Sequence, residues 1–135
     1  MRNFEFREWV EIISRFKFRA WVDPFNYYIY DIQERVDMFE WFDNPTIRIE
    51  QYTGLKDKND QEIYEGDIVK FTDLELAMNP TGVVCFSDGK FFIKDWEFDD
   101  GSYHIVDFYD YNVPQRDFEV IGNIHEDPEL LGGKE

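Results

Sequence analysis

The stretch from Gln51 to Phe71, QYTGLKDKNDQEIYEGDIVKF, constrains the fold more than any other part of this chain. It reads as strand, polar reversal, strand, and a glycine corner feeding a further strand. The run Ile47-Arg48-Ile49-Glu50-Gln51-Tyr52 alternates apolar and polar residues, the period of a half-buried strand. Thr53-Gly54 breaks that alternation, and Lys56-Asp57-Lys58-Asn59-Asp60 supplies the reversal. In Glu65-Gly66-Asp67 the glycine permits a backbone that other residues resist. Ile68-Val69-Lys70-Phe71, β-branched and aromatic, then reads as the next strand.

The same period of two recurs along the chain. In Phe16-Lys17-Phe18-Arg19-Ala20-Trp21-Val22 the residues Phe16, Phe18, Ala20 and Val22 share one face, leaving Lys17 and Arg19 on the other. Gly82-Val83-Val84-Cys85-Phe86 and Phe91-Phe92-Ile93-Lys94 flank Ser87-Asp88-Gly89-Lys90, and an Asp-Gly pair between two such runs is a strong hairpin signal. Helix signals are scarce. Asp31 to Trp41 offers Asp31 as a cap, Glu34 three residues later and Ile32, Val36 and Phe39 at helical spacing, although the tyrosine-rich Tyr27 to Tyr30 before it reads as extended. Asp127-Pro128-Glu129-Leu130-Leu131 suits one short helical turn, and the Gly132-Gly133-Lys134-Glu135 tail is expected to fray.

Composition bounds the class. A chain of 135 residues with 19% aromatic content carries enough apolar surface for a core, which excludes disorder despite its net charge. No apolar run approaches the ~20 residues that span a bilayer. Glu5, Glu8 and Glu11 stand where a signal peptide needs an uncharged apolar segment, and the single cysteine, Cys85, permits no internal disulfide. These features point to a reducing cytoplasm and to no membrane association.

The net charge of −16 is unevenly spread. Residues 1–22 hold five basic groups against three acidic ones, whereas residues 95–129 hold eleven carboxylates and one arginine, Arg116. Direct binding of nucleic acid through phosphates is therefore excluded, since like charges repel and no counterions would be released. The charge is compatible with three roles: solubility, recognition of a basic protein partner, or mimicry of the charge of DNA.

The motif census is mainly negative. Neither G-x-x-x-x-G-K-[ST] nor G-x-G-x-x-G occurs, so no nucleotide cradle is indicated. His104 and His125 are far apart in sequence and outside any H-E-x-x-H helix. Cys85, between Val84 and Phe86, reads as a small buried apolar residue and not as a nucleophile. Asp95-Trp96-Glu97-Phe98-Asp99-Asp100-Gly101 has carboxylates at positions one, three and five of a calcium loop. Its glycine comes at position seven, however, and position twelve is Val106. The alternation of Trp96 and Phe98 instead suggests a strand showing its acids to water. No catalytic, cofactor-binding or metal-binding residue is assigned, and no cofactor is expected. Asp73 to Thr81 and Asp107 to Pro114 are the long loops on which recognition would sit.

Gln51 to Phe71 resembles the signature of the YopX family of phage and prophage proteins. Lys17-Phe18-Arg19-Ala20-Trp21 resembles the family's opening strand. Gly82 to Phe86 with Asp88-Gly89 resembles its central hairpin, and Phe118 to Leu131 its closing segment. The resemblance implies a mainly β fold of strongly bent antiparallel sheets including a small SH3-like barrel, with little helix, a phage origin and no established activity. Short bent strands around a Gly-Asp corner are an independent reason to expect that barrel, because closure hides strand edges. One departure is Asn59-Asp60 where the family usually has Asn-Gly; aspartate tolerates positive φ less well than glycine, so a different or wider turn is expected.

A second departure is the N-terminal extension. Phe4-Glu5-Phe6-Arg7-Glu8-Trp9-Val10 recurs twelve residues on as Phe16-Lys17-Phe18-Arg19-Ala20-Trp21-Val22, with five of seven positions identical. Such a repeat arises from convergent amphipathic strands or a short duplication; as a functional feature, it would be an extra edge strand able to add to a neighbouring subunit. The expected organisation is an extension over 1–16, a single YopX-like β domain over 17–131 and a frayed tail over 132–135. The expected function is that of a non-enzymatic phage accessory protein acting through protein contacts, with basic proteins and a second copy of the chain as candidate partners. The alternative is an acidic nucleic-acid mimic that inhibits a host DNA-binding protein.

Overall fold

A computed structural model describes residues 16–35, 38–74, 77, 79–97, 99–108 and 117–131. The strands are β1 (Phe18–Val22), β2 (Tyr27–Tyr30), β3 (Ile47–Lys56), β4 (Glu62–Tyr64), β5 (Asp67–Lys70), β6 (Thr81–Ser87), β7 (Lys90–Glu97), β8 (Tyr103–Asp107) and β9 (Glu119–Asn123). Helical structure among the described residues is confined to single turns: 3-10 turns at Ile32–Glu34 and Pro128–Leu131, and α1 (Met38–Trp41). The fold is mainly β, as expected, with two antiparallel sheets of which one is curled into a half-barrel.

The chain divides into two compact units, Met1–Gly54 and Leu55–Glu135. In the first, β1 is the middle strand, antiparallel to β2 on one side and to β3 on the other, with Trp21 opposite Tyr28 and Arg48. The β1–β2 turn has Asn26 at φ 60°, its N–H donating to the Val22 carbonyl. A middle strand has neighbours along both edges, and here Arg19, Ala20 and Trp21 are all buried. The alternation expected at β1 therefore holds for direction but not for exposure. Arg19, expected to face water, is 4% exposed, while Phe16, expected on the apolar face, is 56% exposed. Position within the sheet, invisible in a local pattern, decides this.

The helix expected over Asp31 to Trp41 is reduced to two separate single turns. Asp31 takes a left-handed conformation (φ 55°) and makes no side-chain cap, which removes the capping box. Val36 lies outside the described residues. Tyr27–Tyr30 is extended, as its β-favouring composition dictates.

Strand β3 continues past Gly54, and its last residues belong to the second unit, where β4 is its hydrogen-bonded neighbour. The five-stranded sheet there runs β8-β7-β6-β5-β9. Its core is Ile63, Val69, Phe71, Val84, Ile93, Val106, Phe108 and Phe118, with ring contacts Phe71–Phe118 (5.7 Å) and Phe108–Phe118 (5.1 Å). Each buried aromatic removes roughly 150–250 Å² from water, so these three rings carry much of the driving force. The Asp88-Gly89 turn joins β6 to β7 with both residues at positive φ (53° and 78°), as a two-residue turn between twisted strands requires. Gly82 lets β6 and β7 approach closely: a Cβ there would lie 2.5 Å from Ile93 Cγ2 and 2.6 Å from the Lys94 carbonyl. The short turn expected at Asp127 to Leu131 is present, and the 132–135 tail lies outside the described residues.

Candidate functional site

The signature acids of the second unit are structural. Asp57, 6% exposed, accepts at Oδ1 from the N–H groups of Asn59 (2.8 Å) and Gln61 (2.9 Å), and at Oδ2 from the N–H of Val120 (2.9 Å). One carboxylate thus closes the β3–β4 turn and ties it to β9, and the Lys58 N–H adds a bond to the Phe118 carbonyl. Asp60 adopts the left-handed conformation at φ 66° and its N–H donates to the Asp57 carbonyl, while the Asp57 N–H donates to that of Gln61. The reversal is wider than a two-residue turn, as expected where aspartate replaces glycine.

The glycine corner works the same way. Gly66 sits at φ +88°, which L side chains rarely adopt. Its N–H donates to the Val84 carbonyl and its own carbonyl accepts from Ile124. Asp67, 3% exposed, accepts from the Tyr64 N–H at 2.8 Å. These carboxylates already hold backbone donors, so they are poorly placed to act on a substrate.

Asp95 and His104 form a pair that sequence reading missed. Nδ1 of His104 lies 2.7 Å and 2.8 Å from the two Asp95 oxygens, the carboxylate is fully enclosed, and the imidazole keeps 32% of its side-chain surface. The pair sits where the β7–β8 register shifts between Lys94 and Glu97. This corrects the reading of Asp95 as an acid shown to water. Only the nine-residue spacing across an unassigned turn could have hinted at the contact. Phe98 lies outside the described residues, and no group of three or more metal-ligating side chains occurs among those described. Asp100 in the following turn is bonded by the hydroxyl and amide of Ser102, which hold its carboxyl below the ordinary value. His125 is a backbone participant, its N–H donating to Asn123 Oδ1 at 3.0 Å.

Cys85 is partly buried, with Sγ 3.7 Å from the Val83 carbonyl. Burial raises its thiol pKa, Glu65 adds to that, and Lys94 opposes it. A raised pKa depletes the thiolate, which agrees with a packing role.

A cleft of about 230 Å³ in the second unit is lined by Lys58, Lys70, Phe71, Thr72, Asn79, Asp117 and Glu119. It brings one end of the Asp73–Thr81 loop to the β5 and β9 ends. Lys58 Nζ lies 3.4 Å from Glu119 Oε2, and the Thr72 hydroxyl lies 3.2 Å from Asn79 Oδ1. Pockets for drug-sized molecules run from about 300 to 1,000 Å³ and are mainly apolar. This one is smaller and polar, with two cations and two anions, a composition suited to holding a charged side chain. Of the other long loop, Asp107 to Pro114, only Asp107 and Phe108 are described.

Many of the other acids lie on the surface, although Asp73 is 6% exposed. Asp60, Asp88, Asp99, Asp100, Asp107, Asp117, Glu126 and Glu129 are all exposed. Three surface lysine pairs, Lys56–Asp60, Lys58–Glu119 and Lys90–Asp107, span 3.4–3.7 Å and offset only part of this charge. No helix among the described residues is long and apolar enough to cross a membrane.

Comparison with known proteins agrees with this architecture. The crystal structure of protein EF1440 from Enterococcus faecalis is 29% identical, with a TM-score of 0.56, over 86% of this chain and 97% of that one. No curated protein is similar enough to count as a match. The YopX protein family matches residues 28–132, which include the signature segment, the central hairpin and the closing segment, while β1 precedes the matched range. The chain therefore belongs to the YopX family.

Proposed function

We propose that this YopX-family chain is a non-enzymatic accessory protein of phage or prophage origin that binds a basic protein in the host cytoplasm through the acidic surface of its second unit. The reading rests on how its acids are divided. Asp57 and Asp67 are spent on backbone donors and Asp95 on His104, whereas the exposed set on the β6–β7, β7–β8 and C-terminal turns exceeds the lysines beside it. Exposed charge can steer a partner, and such steering weakens as salt rises. The polar cleft adds a place for one charged side chain of that partner.

The test is affinity capture from host lysate across a salt series, comparing the natural chain with Asp99→Lys/Asp100→Lys. A basic protein held at low salt by the natural chain and lost with the variant is the expected result. Equal capture by both forms, or capture unaffected by salt, overturns the reading. The dense charge of residues 95–129 carries the second reading, mimicry of DNA. Release of the captured protein by competing duplex DNA distinguishes it.

A further inference from the structure

The polar cleft of the second unit has two walls, each fixed by backbone hydrogen bonds. On one, the Phe71 N–H donates to the Pro80 carbonyl at 3.1 Å and the Thr72 hydroxyl to Asn79 Oδ1 at 3.2 Å, which holds Asn79 and Pro80 beside the end of β5. On the other, the Lys58 N–H donates to the Phe118 carbonyl at 2.8 Å and the Val120 N–H to Asp57 Oδ2 at 2.9 Å, which holds the β3–β4 turn beside β9. Phe71 lines the cleft, is 1% exposed and packs on Phe118. A site held in this way needs little ordering when a ligand enters.

The charges of the cleft are only partly matched. The β5–β9 register sets Lys70 opposite Glu119, yet Glu119 Oε2 lies 3.4 Å from Lys58 Nζ. Among the described residues no carboxylate pairs with Lys70 and no cation with Asp117, and both side chains are exposed. The cleft therefore presents one ion pair, one further cation and one further anion. Lys58 and Lys70 against Asp117 and Glu119 leave no net charge, so a ligand of a single sign is attracted by one group and repelled by another. A ligand carrying a cation and a carboxylate on one framework meets both. Asn79 Oδ1 accepts from Thr72, which leaves the Asn79 –NH2 as a second donor for a carboxylate.

Size and field narrow the ligand. The volume of about 230 Å³ lies below the roughly 300–1,000 Å³ of drug-sized sites and suits a single amino-acid residue. A chain of net charge −16 favours a ligand with surplus positive charge, and a planar guanidinium meets a carboxylate through two parallel hydrogen bonds.

We propose that this cleft binds one basic amino-acid residue, arginine first, with its carboxylate on Lys70 and Asn79 and its guanidinium on Asp117. Free arginine and the C-terminal arginine of a bound protein offer the same chemistry. The second source rests on the protein-binding reading above; the first does not.

The experiment uses the purified full chain, labelled with nitrogen-15 and titrated with L-arginine at moderate salt. The backbone amides of Lys70, Thr72, Asn79 and Asp117 should shift together and saturate. Agmatine, which is arginine without its carboxylate, should bind about fivefold more weakly, the scale of one exposed ion pair. Lys70→Ala and Asp117→Asn should each weaken arginine by about the same factor, and Lys90→Ala, outside the cleft, should leave it unchanged. Unshifted amides elsewhere in each variant check that the fold is kept. A short peptide ending in arginine, as the free acid and as the amide, separates the sources. Tighter binding of the acid peptide than of L-arginine assigns the site to a chain terminus, and the reverse order assigns it to the free amino acid. Absence of saturable shifts overturns the proposal, as does agmatine or the amidated peptide binding as tightly as its carboxylate form. So does a Lys70→Ala variant with undiminished affinity. Failure to capture a protein from lysate leaves arginine binding by the purified chain untouched, so the two readings fail separately.

Discussion

The Arg19–Glu50 pair of the first unit and the Asp57 and Asp67 carboxylates of the second bury charge in different ways. In the first, Arg19 and Glu50 neutralise each other across the β1–β3 register at 2.9 Å, with side chains 4% and 6% exposed. The Tyr28 hydroxyl lies 3.0 Å from the same Glu50 oxygen, and its ring lies under the Arg19 guanidinium. In the second, Asp57 and Asp67 are satisfied by backbone N–H groups. A charge held by a side chain can be removed together with its partner. A charge held by the backbone cannot, because the donors stay behind whatever residue replaces it.

That contrast is open to direct attack. Glu50→Ala should cost the most, about 3–5 kcal/mol, since it removes the carboxylate paired with the buried Arg19 charge. The double variant Arg19→Met/Glu50→Leu should recover most of that loss, because an apolar pair of similar volume commonly replaces a buried ion pair at little cost. Urea unfolding read by tryptophan fluorescence measures both. A double variant as unstable as the single one would break the comparison.

Asp57→Ala ranks second, at about 2–4 kcal/mol. It strands the N–H groups of Asn59, Gln61 and Val120, and each buried unsatisfied donor costs about 1–3 kcal/mol, with water meeting the more exposed ones. Asp57→Asn should restore about half, its amide oxygen accepting where Oδ1 did. Hydrogen exchange at Val120 reports the lost tie to β9. An unchanged rate there would show that the carboxylate is dispensable.

The smallest effect concerns Cys85. Its folded-state pKa is raised from 9.0, chiefly by burial. A raised value means that the fold favours the thiol. The associated stability is complete below the unfolded value and is lost as pH rises through the folded one, so the change falls above about pH 9. At pH 8, iodoacetamide should alkylate Cys85 several-fold more slowly in the folded chain than in urea. Equal rates would remove the packing role.

Local pattern and folded context can be separated at particular residues. The hairpin at Asp88-Gly89, the corner at Gly66 and the strands from Tyr27 to Phe92 were legible, because positive φ and a period of two are properties of neighbouring residues. Asp31 as a helix cap was misleading, since its left-handed backbone points the chain elsewhere. The Asp95–His104 contact and the Val120 bond to Asp57 were hidden, the latter spanning 63 residues.

By itself, then, the sequence determined a β-rich chain, its turns, its acidity and its family, all of which follow from residue type and short spacing. Only the tertiary structure decided what the charges do. Whether Arg19 meets water, whether Asp57 is surface or staple, and which acids remain exposed depend on sheet order and register. Those are set by apolar residues far apart in the chain that must share one core.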